Sequence, residues 1–352
     1  MTTLRRFLLG GILALSLLAG GLHYAGVNEI VAFVVAGFAL AGLAWVISFT
    51  TEEVGGHYGP AVTGVLQSTL GNLPEFFVVI FALSAGEVVV AQFSIIGSIF
   101  ANALLVLGLV IVVGARRERD GVMRFSARLP NDTATLLLLA GFIIVLVGLS
   151  AATHDKASDD IVAISSFASV LLLIVYSVWV AGYLRKDATP TPAAEEHPSG
   201  GGGFRTAVIM LALAGVGAAL VSDWFIAALR PTIDQIGVSE EFAGLVIVAI
   251  AGNAVENTAG VVLAAKGQAD LAISVVKNSV AQIAAFLFPA LVLVSLLFAH
   301  HLTFDLAPLY IGALFLTTLS IWQVTGDGEA TMFEGAALIA TYVILAVFAL
   351  YD

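Results

Sequence analysis

The 352-residue chain has no cysteine, few charged residues and an excess of acidic over basic side chains. Without cysteine, the protein has no disulfide bonds, no thiolate metal sites and no catalytic thiol. Only 11% of the residues are charged, whereas soluble globular proteins carry about 25%. If this chain were a soluble protein, it would therefore lack enough polar residues to cover its surface. The formal net charge of −11 argues against nucleic acid as a partner.

Long apolar runs fill most of the chain, which is 60% hydrophobic and has a mean hydropathy of +1.04. A helix that crosses the hydrocarbon core of a bilayer needs about 20 apolar residues. Because several runs reach this length, the sequence predicts an all-α polytopic membrane protein in the lipid bilayer. Its eleven transmembrane segments are expected near residues 7–26, 29–49, 61–84, 88–113, 133–152, 161–183, 206–228, 241–265, 270–298, 306–324 and 333–350.

A polar stretch near the middle of the chain predicts a linker at residues 185–205. It contains prolines, threonines, glutamates and four consecutive glycines, a composition that does not pack a core. Six predicted segments precede this linker and five follow it, so the first segment is the extra one. We therefore predict an additional N-terminal helix at 1–27, a first five-helix repeat at 28–184 and a second at 206–352.

The distribution of Lys and Arg predicts the orientation of the chain, because cytoplasmic loops carry most of the basic residues. With a cytoplasmic N-terminus, the outer loops hold only Lys156 and Arg230, and Lys277 lies within a segment. The cytoplasmic side then holds the remaining eleven, namely Arg5, Arg6, Arg116, Arg117, Arg119, Arg124, Arg128, Arg185, Lys186, Arg205 and Lys266. We expect the C-terminus outside, and a prokaryotic plasma membrane as the location.

The pattern Gly-Asn-x-x-Glu occurs twice inside apolar segments, first with Glu75 and then, 181 residues later, with Glu256. A carboxylate in the middle of a membrane helix costs roughly 2.5–3.5 kcal/mol on insertion scales, so such residues are usually functional. The two copies lie on the third and eighth segments, which cross the membrane in opposite directions. This arrangement predicts an inverted repeat, whose substrate site lies near the bilayer midplane.

The motif has the groups of a cation site. Glycine permits a break in the helix, the amide oxygens of Asn72 and Asn253 are neutral ligands, and Glu75 and Glu256 supply negative charge. Hard cations such as Ca²⁺ take six to eight oxygen ligands. Two neighbouring carboxylates in a low dielectric also bind protons more readily. The pair would then hold a cation or protons in turn, which is the basis of antiport.

A structural interpretation of the same residues stays open. A single intramembrane glutamate can be a hydrogen-bond anchor between helices, although two such glutamates in matched repeats weaken this interpretation. The polar residues of the following helices can likewise be interhelical hydrogen-bond groups; they are Ser98, Asn102, Ser279 and Gln282.

These motifs resemble those of the cation/proton exchanger family of the Ca²⁺:cation antiporter superfamily. In the first half, the resemblance rests on Gly71-Asn72-x-x-Glu75, Phe81-Ala82-Leu83, Ser94-x-x-Gly97-Ser98, Asn102 and Leu105-Val106-Leu107-Gly108. In the second half, it rests on Ile236-Gly237-Val238-Ser239-Glu240, Gly252-Asn253-Ala254-x-Glu256, Gln282-Ile283-Ala284, Asp327-Gly328 and Glu334-Gly335. The similar stretch runs from about residue 50 to residue 350.

The resemblance implies exchange of Ca²⁺ for H⁺ by alternating access, with inorganic cations as substrates and no cofactor or enzymatic reaction. Glu75 and Glu256 would bind Ca²⁺ or protons, and Asn72 and Asn253 would complete the shell. The resemblance would also place Ser98, Asn102, Ser279 and Gln282 along the path. We further expect Thr69, Gly71, Gly252 and Lys277 to be pathway or secondary residues.

The second half departs from the family pattern at Asn257, where the family has His, and at Asn278, where the family has Gly before the serine; Lys277 precedes Asn278. These departures leave Na⁺, K⁺ or Mn²⁺ antiport as alternatives, and a passive cation channel as another class. Lys277 itself has two interpretations. Its side chain reaches the cytoplasmic interface, or its ammonium occupies a cation position near Glu75 or Glu256.

Overall fold

The computed structural model describes residues 3–26, 28–58, 66, 69–126, 128–187 and 203–352. Within these ranges, the side chains of residues 4, 128–133, 183–187 and 255–257 are outside the description. Most of the predicted linker at 185–205 is also outside it.

Helices make up nearly all of the described chain, because its apolar segments must satisfy their backbone hydrogen bonds internally. In chain order they are α1 (Thr3–Ala25), α2 (Glu29–Gly55), α3 (Leu73–Ser84), α4 (Val88–Arg117), α5 (Arg128–Thr153), α6 (Ile161–Asp187), α7 (Phe204–Ile236), α8 (240–252), α9 (Ala254–Ala265), α10 (Ala269–Ser295), α11 (Pro308–Thr325) and α12 (Met332–Tyr351). A short 3₁₀ turn, Lys156–Asp160, precedes α6. Strands β1 (Val122–Arg124) and β2 (Glu329–Thr331) pair antiparallel, with Val122 opposite Thr331.

Nine helices of the described chain are long and apolar enough to cross a membrane: α1, α2, α4, α5, α6, α7, α10, α11 and α12. The other two predicted segments, 61–84 and 241–265, are those that carry the Gly-Asn-x-x-Glu motif. α3 has only 12 residues, and α8 ends at Gly252 before α9 begins at Ala254. The predicted all-α polytopic class is confirmed. In each motif segment, one short helix begins within the motif, α3 at Leu73 and α9 at Ala254.

The backbone repeats locally at the spacing of the motif. α3 and α9 both have 12 residues, and their first residues, Leu73 and Ala254, are 181 positions apart. Each helix is followed by a left-handed glycine, Gly86 at φ +82° and Gly267 at φ +80°, a conformation that glycine adopts without steric cost. α4 and α10 then begin at the same spacing, and both contain a π-helical turn, at Ala101–Val106 and Ile283–Leu287.

The chain forms two compact units. The first consists of Met1–Ala85, Ser177–Gly237 and Ala251–Val255. In this unit α2 lies along α7, where Phe33 stacks on Phe225 with ring centres 4.5 Å apart. α1 packs against both helices, and α3 packs against α7.

The second unit consists of Gly86–Tyr176, Val238–Ile250 and Glu256–Asp352. α4 is its most buried helix, and two glycine contacts bring neighbouring backbones against it. Gly97 lies against Leu245 in a π-helical turn of α8, Ala243–Val248, and Gly108 lies against Gly335 of α12. The predicted repeat boundaries concern sequence order, whereas both units are discontinuous in sequence, so those boundaries stay a prediction.

Candidate cation site

The first copy of the motif lies in the first unit, at the start of α3. Asn72 directly precedes the helix, Pro74 occupies its first turn, and the backbone N–H of Phe76 donates to the carbonyl of Asn72 over 2.9 Å. Glu75 is also in this first turn, where the positive end of the helix dipole favours a negative charge. Asn72 and Glu75 are each 4% exposed.

The Gly-Asn pair of the second copy lies in the same unit, beside Glu75. A Cβ atom at Gly252 would be 3.8 Å from Cβ of Glu75, so the backbone of the second motif lies close to the glutamate side chain. Asn253, the next residue, is 2% exposed. The structure thus brings Glu75 of one copy to the Gly-Asn break of the other, although 181 residues separate equivalent positions.

Glu256 lies in the first turn of α9, in the second unit. Its side chain falls outside the described part of the chain, as does that of Asn257. Thr69 and Gly71, which precede α3, are half-buried.

The predicted path residues of α4 and α10 are buried together in the second unit. Asn102 Nδ2 donates to Ser279 Oγ over 3.3 Å and so joins the two helices. Ser98 Oγ donates to the carbonyl of Ser94 over 2.8 Å. Ser98, Asn102, Ser279 and Gln282 are all at most 8% exposed. Asn102 also lies in the π-helical turn of α4, and π-helical turns are frequent at functional sites.

Lys277 lies on α10, two residues before Ser279, and is 6% exposed. Its ammonium donates to Thr325 Oγ1, at the C-terminal end of α11. A side chain this deeply buried does not fit the interpretation that Lys277 extends to the aqueous interface. The sequence does not predict Thr325 as this partner, because nothing in its local pattern marks it as the partner of a lysine 48 residues earlier.

Two further polar groups of the first unit were not predicted. Thr51 on α2 and Ser222 on α7 are fully buried, and their hydroxyls have no hydrogen-bond partner among the described residues. The signal available in the sequence is a hydroxyl residue within an apolar run, which is too common in membrane helices to select these two.

The chemistry of the first unit suits a hard cation. A carboxylate and two amide side chains are buried at helix breaks, and all three provide the oxygen ligands that Ca²⁺ prefers. A carboxylate can also carry a proton in place of a cation. An exchange of the two ions at these residues would need no nucleophile or redox group.

Comparison with known proteins places these features in a family. The sequence model of the family described as "Sodium/calcium exchanger protein" matches residues 28–184 and 206–351. The vacuolar calcium ion transporter of Schizosaccharomyces pombe is 31% identical over 323 residues, which cover 89% of this chain and 77% of that protein. The Ca²⁺/H⁺ antiporter ChaA of Bacillus subtilis is 31% identical over 323 residues, covering 90% and 91% of the two chains.

Solved structures agree with the fold. Native YfkE superposes with a TM-score of 0.80 at 27% identity, covering 97% of this chain and 100% of that chain. An H⁺/Ca²⁺ exchanger CAX superposes with a TM-score of 0.75 at 17% identity, covering 98% and 89%, and this match supports the fold alone. The resemblance predicted from the motifs is confirmed, and the chain belongs to the sodium/calcium exchanger protein family.

Proposed function

We propose that this protein is a secondary active antiporter that exchanges Ca²⁺ for H⁺. The observation that carries the proposal is the burial of Glu75 at the start of α3, beside the Gly252-Asn253 break of the second motif. A buried carboxylate between two helix breaks has the charge and the oxygen neighbours that a hard cation requires. The names of the relatives in Schizosaccharomyces pombe and Bacillus subtilis support Ca²⁺ and H⁺ as the exchanged ions.

Antiport follows from competition for the same oxygen atoms. Glu75 and Glu256 bind Ca²⁺ when both are ionised, and protons replace Ca²⁺ when both are neutralised. Asn72 and Asn253 contribute neutral amide oxygens to the cation. A site that must be filled by one ion or the other couples the movements of the two ions. This coupling requires that the empty, charged site changes slowly from one side of the membrane to the other.

The path residues have a supporting role in this proposal. The bond between Asn102 and Ser279 joins α4 to α10, and both helices contain a π-helical turn, with starts one residue away from the repeat spacing. We infer that the two halves, at 28–184 and 206–352, are inverted repeats that alternate access to the site. The two stretches that match the family, 28–184 and 206–351, support this division. The charge distribution supports a cytoplasmic N-terminus, and we propose a prokaryotic plasma membrane as the location.

The experiment is Ca²⁺ uptake into everted membrane vesicles under an imposed proton gradient. Wild-type protein is expected to accumulate Ca²⁺ against its gradient, whereas Glu75→Gln and Glu256→Gln are expected to lose uptake. Glu118→Gln is the matched control, because Glu118 is exposed in the loop after α4. Normal uptake by either site variant contradicts the mechanism. A Ca²⁺ flux that only dissipates a Ca²⁺ gradient, without accumulation of Ca²⁺ against it, identifies a passive channel.

A second candidate is antiport of Na⁺, K⁺ or Mn²⁺ by the same site. It is favoured by Lys277, whose buried positive charge is unfavourable to a divalent ion nearby. Flux of each ion into vesicles, measured with and without Ca²⁺ as competitor, separates the two candidates.

A further inference from the structure

Lys277 is a buried basic residue in the membrane-spanning part of the second unit. It is the ninth residue of α10, which starts at Ala269, and therefore lies about 12 Å along the helix at 1.5 Å per residue. Its ammonium bonds Thr325, and no carboxylate of the described residues pairs with it. A charged group inside a membrane segment is costly and usually has a role.

The surroundings hold this charge in place. Thr325 Oγ1 accepts from Lys277 and in turn donates to the carbonyl of Ile321 over 2.6 Å. These groups belong to the last turn of α11, where the negative end of the helix dipole favours a cation. Beside them is a cavity of about 20 Å³, lined by Lys277 and by apolar residues including Ala103, Leu137 and Ile321. This volume has room for about one water molecule.

Lys277 is close along the chain to the predicted path residues of α10. Ser279, two residues later on α10, bonds Asn102 of α4. α9, which carries Glu256 in its first turn, packs against α10 through Gly260, where a Cβ atom would lie 2.9 Å from Val276 Cγ2. Val276 is the residue directly before Lys277, so the backbone of Lys277 is next to the α9–α10 contact, while its side chain faces α11.

We propose that Lys277, held by Thr325, is a specificity-determining residue that weakens the binding of divalent cations relative to monovalent ones. The repulsion between two charges is proportional to the charge of each. A divalent ion therefore loses twice the binding free energy that a monovalent ion loses at the same place. This inference rests on the proposed function, because it assumes a cation site formed with α9 and α10.

The test is equilibrium binding of Ca²⁺ and Na⁺ to the purified protein, together with the KM for Ca²⁺ and the inhibition constant of Na⁺ in vesicles. For unit charges on the order of 10 Å apart at an effective dielectric constant of about 20, an equilibrium constant changes by roughly tenfold. Allowing for screening, Lys277→Met is expected to lower the KM for Ca²⁺ about tenfold and the Na⁺ inhibition constant only about threefold.

Three variants separate charge from packing. Lys277→Arg keeps the charge and is expected to keep the wild-type constants. Thr325→Val removes the acceptor but keeps the ammonium, so the ratio of Ca²⁺ to Na⁺ affinity should stay within about twofold of wild type. Thr325→Asp places a carboxylate beside the ammonium, and this neutral pair should reproduce the constants of Lys277→Met even if Lys277→Met itself does not fold.

The inference is overturned if neutralising the charge leaves both constants unchanged, or changes both by the same factor. It is also overturned if Thr325→Asp behaves as Thr325→Val does, or if purified wild-type and Thr325→Asp proteins both fail to bind Ca²⁺. The proposed function is judged separately, from proton-driven uptake by wild-type protein, so binding that responds to the charge without such uptake would reject the antiport and retain the role of Lys277.

Discussion

At the scale of single residues, the position of Glu75 explains how a charge can be tolerated in an apolar segment. The helix break at Gly71-Asn72 puts Glu75 in the first turn of α3, where free backbone N–H groups and the helix dipole stabilise a carboxylate. A glutamate in the middle of an unbroken helix would have no such stabilisation. The roles of the glycine and the glutamate of the motif are therefore linked, since the helix break lowers the free-energy cost of burying the charge.

The contact between Gly252 and Glu75 gives a prediction at this scale. A Cβ atom at Gly252 would lie 3.8 Å from Cβ of Glu75, which is ordinary contact, but the two methyl groups of a valine would extend into the space of the carboxylate stem. Gly252→Val is expected to reduce the rate of Ca²⁺ uptake by at least about tenfold, because misplacing a functional group by about 1 Å costs up to ~100-fold.

Vesicle uptake, normalised to the amount of protein, measures this effect. Gly10→Val is the control, because no atom lies within 4 Å of a Cβ at Gly10 in α1, and it should keep wild-type uptake. Full activity of Gly252→Val would show that the second Gly-Asn break does not constrain Glu75.

At the scale of helices, the sequence predicts the repeat better than it predicts how the helices pack. Hydropathy locates the segments, and the spacing of 181 residues correctly relates α3 to α9 and Gly86 to Gly267. The π-helical turns have no comparable signal, because they depend on tertiary packing as well as on local composition. The bond between Lys277 and Thr325 was likewise not predictable, since residues distant in sequence meet only after α10 and α11 pack.

The crossing of α4 and α8 gives a prediction at the scale of helices. A Cβ atom at Gly97 would lie 2.3 Å from the carbonyl oxygen of Leu245, and one at Gly244 would lie 2.8 Å from Cβ of Phe93. Gly97→Ala must therefore separate two backbones, and overpacking of this kind costs about 1–3 kcal/mol. A lower apparent Tm in detergent is expected.

Thermal unfolding followed by size-exclusion chromatography provides the measurement. Gly312→Ala, on α11 in the same unit, is the matched control because its Cβ would have no neighbour within 4 Å. If both variants unfold at the wild-type temperature, the close backbone contact is not a source of stability.

At the scale of the whole molecule, the contacts of the second unit agree with the predicted sidedness of its loops. Three loops assigned to the cytoplasm contact one another: β1 pairs with β2, Arg117 donates to the carbonyl of Ala265 over 2.6 Å, and the N–H of Ser126 donates to Asp270. At the end of α4 assigned to the outside, Gln92 donates to the carbonyl of Asp305 in the loop before α11. If the predicted topology were wrong by one membrane crossing within this unit, these contacts would join residues on opposite sides of the membrane.

Cysteine labelling tests the absolute orientation, and the native chain has no cysteine that would interfere. Ser126 and Ala157 are exposed and lie on opposite sides of α5 in the chain, one before the helix and one after it. In the predicted topology, α5 crosses the membrane once and eleven of the fourteen basic residues lie on the side of Ser126. Ala157→Cys should therefore react with an impermeant maleimide in intact cells. Ser126→Cys should react only in everted vesicles. Labelling with the opposite sidedness would reverse the direction of Ca²⁺ transport relative to the cell, whereas labelling of both from one side would require an even number of crossings between them.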